Sequence, residues 1–416
     1  MSCAAELVGI LIFISATTRI SRAHASDPAL NRYVTEVLAR NPSLQARSLR
    51  RDAFRSEAAA AGKWPDPFAA VMVDRVPGRG VEMPMVRYQL SQVVSWPGKL
   101  GLMREAVAWR GEGAEADLSV RRLDLKLSAK RGYFMLALNA KRREVNRANR
   151  NLSSTIASAA LGRYGSGVTG HHEVARAQVE VTAFDVAHIN LEGERMSIVA
   201  VLNAFRDQPT DTAMGDPLGE ASPVVEYVLA SLNDRAVAQR PELKGMRAVQ
   251  NEAHAMASLA RREPYPDLMT SVWFNQMVGG PPTAGIMLGA TIPVFGVSRQ
   301  GHRAAAFGAR ADAATHDQSA MRAMIRSEVA DALVKVQTTT RQLELVRTVA
   351  LPKARESFEA SLAGYGASNV DIVGVLDARR ALQQAELVQA EALIEREMAL
   401  AELERAVGAP LDAGSR

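Results

Sequence analysis

The sequence predicts a mainly α-helical protein that also carries four membrane-length β-strands, arranged as two tandem repeats. Three observations support this fold class. Aromatic residues make up only 5% of the 416 residues, while alanine, leucine, arginine and glutamate are abundant, which is typical of long helices. No proline occurs between Gly98 and Gln208, and segments of alternating polarity precede that stretch. Structure-breaking residues also recur at a nearly constant spacing.

The N-terminal segment has the features of a secretory signal peptide. An apolar run from Leu7 to Ala16 precedes Ala23-His24-Ala25, whose small residues fit a cleavage site, so we predict a signal peptide over 1–25. The alternative is a buried N-terminal helix of a cytoplasmic protein, because Glu6 stands where a positive charge is usual. Cys3 is the only cysteine and lies in this segment, so we expect a mature chain without disulfides or thiolate metal sites.

The tandem repeat is marked by a Tyr-Gly pair that occurs twice, at Tyr164-Gly165 and Tyr365-Gly366. Each pair lies between two helical patterns, where glycine supplies the backbone conformations of a turn, so each predicts the tip of a helical hairpin. Other breakers recur at a nearly constant offset: Pro42 and Pro241, Pro65 and Pro264, Pro67 and Pro266, Gly98 and Gly296, Pro209 and Pro410. We predict a first repeat over 26–206, a linker over 207–223, a second repeat over 224–408 and a tail over 409–416.

Two pairs of segments show the period-two alternation of β-strands. In the clearest segment Val86, Tyr88 and Leu90 fall on one face, while Arg87 and Gln89 fall on the other. The four predicted strands span about 66–76, 85–96, 267–278 and 285–295. Strands of roughly nine to eleven residues can cross a membrane when they are tilted. Past the signal peptide no apolar run is long enough to predict a transmembrane helix.

A long helical pattern follows each strand pair. Leu123, Leu127 and Phe134 repeat at the heptad spacing of a helical seam. A helix over 98–164 would be about 100 Å long and could not bury its apolar stripe alone, so we predict hairpins that pack on one another as coiled coils. Pro352 lies inside the second long pattern and predicts a kink there.

The strand count predicts an oligomer. Four strands cannot close a barrel, and open sheet edges are not tolerated in lipid. The smallest bacterial barrels have about eight strands, so a chain with four must share its barrel with other copies. Three copies would supply twelve strands, although the count alone does not fix the number three.

The order of several short motifs makes the chain resemble the outer membrane efflux proteins of the TolC family over nearly all of the mature sequence. The motifs are Asn41-Pro42-Ser43-Leu44, Trp64-Pro65-Asp66-Pro67, Trp96-Pro97-Gly98-Lys99-Leu100, the two Tyr-Gly turns and Leu403-Glu404-Arg405-Ala406-Val407-Gly408. The Trp-Pro-Gly-Lys-Leu motif is most similar to members that serve heavy-metal exporters of the RND type.

This resemblance implies a homotrimer whose shared 12-stranded β-barrel spans the outer membrane and whose helical hairpins form a periplasmic tunnel. It implies a passive exit duct that docks to a periplasmic adaptor, or membrane fusion protein, and to an inner-membrane RND-type pump. It implies neither enzymatic activity nor a cofactor, with heavy-metal cations as the expected cargo. Two alternatives stay open: a duct for drugs or other small molecules, and a periplasmic coiled-coil adaptor.

The resemblance also assigns functional residues. The hairpin tips are expected to dock the adaptor and to form the gate, through Tyr164, Gly165, Gly167, Val168, Thr169, Tyr365, Gly366 and Ser368. Asp377 matches a family aspartate that lines a pore constriction. Gly374 stands where a second aspartate is usual, and Asp371 could take its place. A carboxylate ring of this kind would select cations, although an aspartate also suits the first turns of a helix.

Other candidate sites are weaker. His171 and His172 are adjacent and therefore point to different helix faces, so a two-histidine metal site within one chain is not expected. Met83 and Met85 could offer thioethers to Cu(I), although a plain loop is the simpler interpretation. The motifs of nucleophilic and metal-dependent enzymes do not occur. A net charge of +5 without a basic block argues against nucleic-acid binding.

Overall fold

The computed structural model describes residues 28–74, 85–217, 222–292, 296–367 and 369–411. The first half contains α1 (Pro28–Arg40), α2 (Pro42–Ala61), β1 (Phe68–Asp74), β2 (Met85–Val94), α3 (Lys99–Gly165) and α4 (His171–Phe205). The second half contains α5 (Leu229–Gln239), α6 (Pro241–Arg262), β3 (Leu268–Met277), β4 (Thr283–Ala290), α7 (Gly296–Leu345), a π-helical turn (Val346–Ala350), α8 (Leu351–Gly366) and α9 (Ile372–Val407). The predicted signal peptide lies outside the described residues.

The long helices form antiparallel hairpins that pack side by side. Helix α3 has 67 residues, which corresponds to about 100 Å, and it contacts α2, α4, α6 and α9. Helices α7 and α9 pack along each other in the same way. Among the described residues, no helix combines the length and the apolar character needed to cross a membrane.

The four strands form one antiparallel sheet in the order β1-β2-β3-β4. Strands β2 and β3 lie at its centre and pair from Met85↔Met277 to Val94↔Leu268, which joins the two halves of the chain. Strand β4 ends at Ala290, earlier than the alternation predicted. Strands β1 and β4 each have one unpaired edge within the chain.

The register gives the sheet two chemically different faces. The mainly apolar face carries Val71, Val73, Val86, Tyr88, Leu90, Val94, Leu268, Val272, Phe274, Ile286 and Leu288, together with small residues and the polar Gln92, Thr270 and Gln276. The polar face carries Arg87, Gln89, Ser91, Ser271, Asn275 and Thr283. On neighbouring positions the exposed fraction is 50% for Leu90 but 8% for Ser91, and 49% for Val272 but 2% for Ser271. The centre of the polar face is therefore covered, although this face also carries Trp273 and the exposed Phe68 and Val93.

The core is distributed along the helices instead of being gathered at one centre. One apolar cluster joins α1, α2, α3 and α4, a second joins α5, α6, α7 and α9, and a third lies near the hairpin tips. The predicted break at Pro352 coincides with the π-helical turn that precedes α8. Proline cannot donate a backbone hydrogen bond, and a π turn is one way for a helix to accommodate it. The predicted fold class, mainly α with four strands, is confirmed.

Candidate functional site

The first hairpin tip is a tight turn between α3 and α4. Val168 N donates to Arg163 O at 2.9 Å, and Gly167 N donates to Tyr164 O at 3.0 Å. Gly167 has a φ of +74°, a left-handed conformation that a residue with a Cβ adopts only at a cost. The backbone conformation of the turn therefore explains why residue 167 is glycine, without reference to a partner protein.

The side chains of this tip divide into exposed and covered groups. Tyr164 and Val168 are exposed, and the Tyr164 ring meets His171 edge-on at a centroid distance of 5.6 Å. Thr169 is half-buried, and its Oγ1 has no hydrogen-bond partner. An exposed aromatic and an exposed valine at the end of a helical hairpin form a small apolar surface that another protein could cover.

The second tip is closed by backbone bonds to Gly364, whose carbonyl accepts from Asn369 N at 2.9 Å and from Val370 N at 3.3 Å. A Cβ at Gly364 would come within 2.5 Å of Val370 Cγ2, and one at Gly374 within 2.9 Å of Val370 Cγ1. The seated Val370 side chain thus gives a packing reason for glycine at 374, where the resemblance expects an aspartate. Ser368, a predicted docking residue, lies outside the described residues.

Tyr365 differs from Tyr164 although both precede a tip glycine. Its exposed fraction is 6%, against 44% for Tyr164. Arg163 of the first hairpin lies over the Tyr365 ring at 4.4 Å and donates from Nη1 to the Tyr365 carbonyl oxygen at 2.8 Å. Burial raises the pKa of the Tyr365 hydroxyl, the positive charge of Arg163 opposes this and Glu173 adds to it. In the single chain Tyr365 therefore holds the two hairpin tips together.

A second contact between the hairpins lies farther from the tips, where Arg379 of α9 reaches Glu180 and Phe184 of α4. Arg379 is fully buried and donates from Nη2 to Glu180 Oε2 at 2.8 Å. Its guanidinium also lies 4.8 Å from the Phe184 ring centroid. Burial lowers the pKa of Arg379, and the carboxylate of Glu180 opposes that effect. Arg380 binds the other Glu180 oxygen, so one carboxylate serves two cations.

The two predicted constriction aspartates occupy different positions on α9. Asp371 is its N-cap, and its Oδ1 accepts from Gly374 N at 2.9 Å. This is the common use of aspartate at a helix start. Asp377 is exposed and lies 3.4 Å from the Arg380 guanidinium. The structure gives Asp371 a capping role and leaves Asp377 accessible to solvent.

The other candidate ligands are not gathered into a metal site. Across the described part of the chain, no group of three or more His, Cys, Asp or Glu residues could hold a metal ion. His171 contacts Tyr164, and His172 lies beside the backbone of Gly170. Met83 lies outside the described residues, whereas Met85 begins β2.

The opposite end of the molecule, where the strands meet the helices, has an aromatic and polar junction. Trp96 stacks on Tyr265 at a centroid distance of 5.3 Å. Lys99 Nζ donates to Tyr265 O at 2.7 Å and to Asp267 Oδ1 at 3.0 Å. Gly98 has a φ of +88°. These observations give Trp96, Gly98 and Lys99 roles in turning the chain from β2 into α3. Exposed aromatics here suit a membrane–water boundary.

The contacts of Arg163 and Arg379 were not predicted from the sequence. Arg163 directly precedes the tyrosine of the first tip, but its partner lies in the other half of the chain. Arg379 shares a helical stripe with Val375, Leu376 and Leu382, which are buried. An arginine at such a seam position is the signal that could have indicated a buried charge pair.

Comparison with known proteins identifies relatives of this chain and of its fold. Residues 232–409 match the family model described as outer membrane efflux protein. The cobalt-zinc-cadmium resistance protein CzcC of Cupriavidus metallidurans is 21% identical over 304 residues, which cover 72% of this chain and 71% of the relative. The structure of CusC superposes with a TM-score of 0.78 at 16% identity, covering 92% of each chain. VceC from Vibrio cholerae gives 0.76 at 17% identity, covering 92% of this chain and 96% of that one.

The fold and these matches define a channel protein of the bacterial outer membrane that extends into the periplasm. The second half of the chain thus matches the outer membrane efflux protein family, and this match confirms the resemblance to that family. Proteins of this family are conduits and not enzymes.

Proposed function

We propose that three copies of the chain form the outer-membrane exit duct of a tripartite exporter. The observation that carries this proposal is the four-stranded sheet, which has one apolar face and two unpaired edges. Unpaired edges are not tolerated in lipid, so β1 of one copy must pair with β4 of the next. Three copies then close a barrel of twelve strands with its apolar face toward lipid and its polar face toward water.

The helices support the same assembly. Helix α4 packs against α3 within the chain but exposes a stripe at heptad spacing on another side, made of Val179, Val186, Ile189 and Met196. The α7–α8 segment exposes Met324, Val334, Leu345 and Val349. Such stripes need partners in water, and neighbouring copies supply them if α4 packs on α7 and α8 around a ring.

The hairpin tips are the proposed docking surface for the periplasmic adaptor, through which an RND-type pump is reached. Tyr164 and Val168 are exposed and lie at the end farthest from the sheet. The turn at Gly165 and Gly167 presents them. Tyr365 and Gly366, also predicted to dock, lie where the second hairpin meets Arg163. These two residues influence whether the tip opens, while the first hairpin makes the direct contact with the adaptor.

Heavy-metal cations are the proposed cargo. The support is the similarity to CzcC, whose name states cobalt, zinc and cadmium resistance, together with the exposed carboxylate of Asp377 near the tip. Three copies of Asp377 around a narrow lumen would favour cations over anions. Asp371, held as a helix cap, is the weaker member of this proposed constriction.

A growth panel on a deletion strain tests the cargo. The strain is exposed to cobalt, zinc, cadmium, copper, silver and nickel salts beside dyes, detergents and antibiotics, with and without the gene restored. Loss of tolerance to one or more metals, recovered on restoration, is the expected result. Sensitivity to organic compounds alone would replace the metal cargo by drugs or other small molecules and leave the duct in place.

The constriction has its own test in planar bilayers. Replacing Asp377→Asn should reduce the ratio of cation to anion permeability of the trimer, because the lumen loses three charges at one level. Asp312→Asn, an exposed carboxylate on α7, is the matched control. Equal selectivity in both variants would exclude Asp377 from the constriction.

A further inference from the structure

All five methionines of the strands lie on one face of the sheet. They are Met72 in β1, Met85 in β2, Met269 and Met277 in β3, and Met287 in β4. The register places them with Arg87, Gln89 and Asn275, on the polar face. The apolar face has no methionine. Contact with lipid therefore does not explain why these strands carry methionine.

Three of the five meet at the end of the sheet that carries the β1–β2 and β3–β4 connections. Met85 is the direct register partner of Met277. Met72 is opposite Arg87, two positions along β2 from Met85, and is thus a diagonal neighbour of Met85. Direct partners have Cβ atoms about 5 Å apart and diagonal neighbours about 7–8 Å. The Met277 sulfur lies beside Gly280 of the β3–β4 turn. Methionine has three rotatable bonds, so a change of rotamer at Met277 lets the three sulfur atoms approach one ion.

The chemistry of these ligands selects the ion. Thioether sulfur is a soft, neutral ligand that suits Cu(I), while carboxylate and imidazole suit harder or borderline divalent ions. We propose that Met72, Met85 and Met277 form a thioether site for a soft monovalent cation, Cu(I) or Ag(I), at the outer mouth of the lumen. The inference rests on the proposed function and narrows its cargo toward soft monovalent ions.

The surroundings favour passage over tight retention. The thioether ligands carry no charge, so the bound ion keeps its full positive charge. Arg87 is in the same layer, and its Nε donates to Asn275 Oδ1 at 3.0 Å. A positive guanidinium beside the site shortens the stay of a cation, and a conduit requires sites that release ions. Met269 and Met287 are diagonal neighbours near the opposite end of the same face and offer a second thioether pair along the path.

Silver binding to the purified full-length trimer tests the site, with Ag(I) as a stable substitute for Cu(I). Silver retained after equilibrium dialysis in chloride-free detergent buffer is counted by mass spectrometry for the wild type and for the double variant Met85→Leu, Met277→Leu. The control is Met103→Leu, Met135→Leu, which removes two methionines of α3. We expect the sheet variant to lose silver affinity at least tenfold and the control to match the wild type. Zinc retention should be equal in all three.

Equal silver binding by the wild type and both double variants would overturn the site and leave these methionines as apolar filler around Trp273. Equal losses in both double variants would overturn it as well. Should the sheet variant fail to form trimers, Met72→Leu on the edge strand must weaken silver binding, and silver X-ray absorption of the wild type must show sulfur neighbours. A chain that binds no silver but restores zinc tolerance would contradict this inference and leave the proposed duct intact.

Discussion

At the scale of single residues, buried charges between the hairpins stand out in a molecule built mostly from alanine and leucine. Arg379 is buried and paired with Glu180, and Arg240 is buried and paired with Glu242 and with the exposed Glu328. Removing one partner of such a pair leaves a charge that the protein interior cannot solvate, which costs more than the intact pair contributes.

Replacement of Glu180→Gln should therefore lower the free energy of unfolding of the trimer by about 3 kcal/mol, because the Arg379 guanidinium keeps its charge and loses its counter-ion. Denaturant unfolding in detergent, followed by circular dichroism, measures the change. Glu356→Gln, which breaks the exposed pair with Lys353, is the control and should leave the transition where it is. Similar shifts in the two variants would mean that Arg379 is not buried in the assembled protein.

Glu402 should make stability depend on pH. Burial raises the pKa of this carboxyl, but Lys335 and Arg131 outweigh burial, so the pKa lies below its ordinary value of 4.5. A lowered pKa means that the stabilisation is complete above about pH 4.5 and is lost as the pH falls through the folded-state value. The midpoint of thermal unfolding should then fall less steeply with acid in Glu402→Gln than in the wild type. Glu395→Gln, an exposed residue of the same helix, should behave like the wild type.

Arg163 and Arg379 also show where sequence reasoning stops at this scale. Heptad spacing predicted packed helices, but Leu123, Leu127 and Phe134 are only half-buried, while Leu125 and Leu136 are fully buried. The Tyr-Gly pairs indicated the turns. The heptad position of a residue does not predict which distant residue it contacts, because that contact depends on how the two hairpins pack. Tyr164 and Tyr365 hold equivalent positions in the sequence, yet one is exposed and the other lies under Arg163.

At the scale of elements, the junction between β2 and α3 decides how the membrane part meets the helices. Gly98 adopts a left-handed conformation there, and a Cβ would overlap the Arg262 guanidinium. Since the arginine side chain can move, the strain of the backbone is the larger cost. Alternation and the absence of proline were sufficient to place the strands and helices on either side. The order of the strands in the sheet could not be predicted from the sequence, because β2 pairs with β3 from a distant segment of the chain.

The variant Gly98→Ala should lower the free energy of unfolding by about 1–2 kcal/mol, the cost of a left-handed conformation in a residue with a Cβ. Gly101→Ala is the matched control, since a Cβ there meets nothing within 4 Å and lies inside α3. The control should be neutral or more stable by up to about 1 kcal/mol. The measurement is thermal unfolding of both purified variants. Equal changes in the unfolding midpoint would show that the backbone at Gly98 is free of strain.

At the scale of the whole molecule, the open edges of the sheet predict a closed ring of copies, and the proposed assembly has three. Cysteines at Phe68→Cys, at the start of β1, and Ile292→Cys, just after β4, mark opposite edges near the helical end. Within one chain two other strands lie between these edges, a span of roughly 14 Å, which a shorter bismaleimide cannot bridge.

The double-cysteine chain, mature and otherwise free of cysteine if the signal peptide is cleaved, should give crosslinked dimers and trimers and no larger species on a denaturing gel. The single variants serve as controls and should stay monomeric. A ladder extending beyond three copies would contradict the closed ring. If the gel shows only monomers, the edges of β1 and β4 from different copies do not lie next to each other in the assembly.

The register of β2 against β3 has a consequence for how the protein is made. Export delivers the N-terminal half first, and β2 then has only β1 beside it until α3, α4, α5 and α6 have followed. A two-stranded ribbon is barely stable alone, and non-local strand pairing is slow. Each newly exported chain thus passes through an interval in which its first hairpin is complete and its first two strands are unprotected. Periplasmic holding factors would find their binding site there, and slowing the arrival of residues 268–290 should lengthen that vulnerable interval.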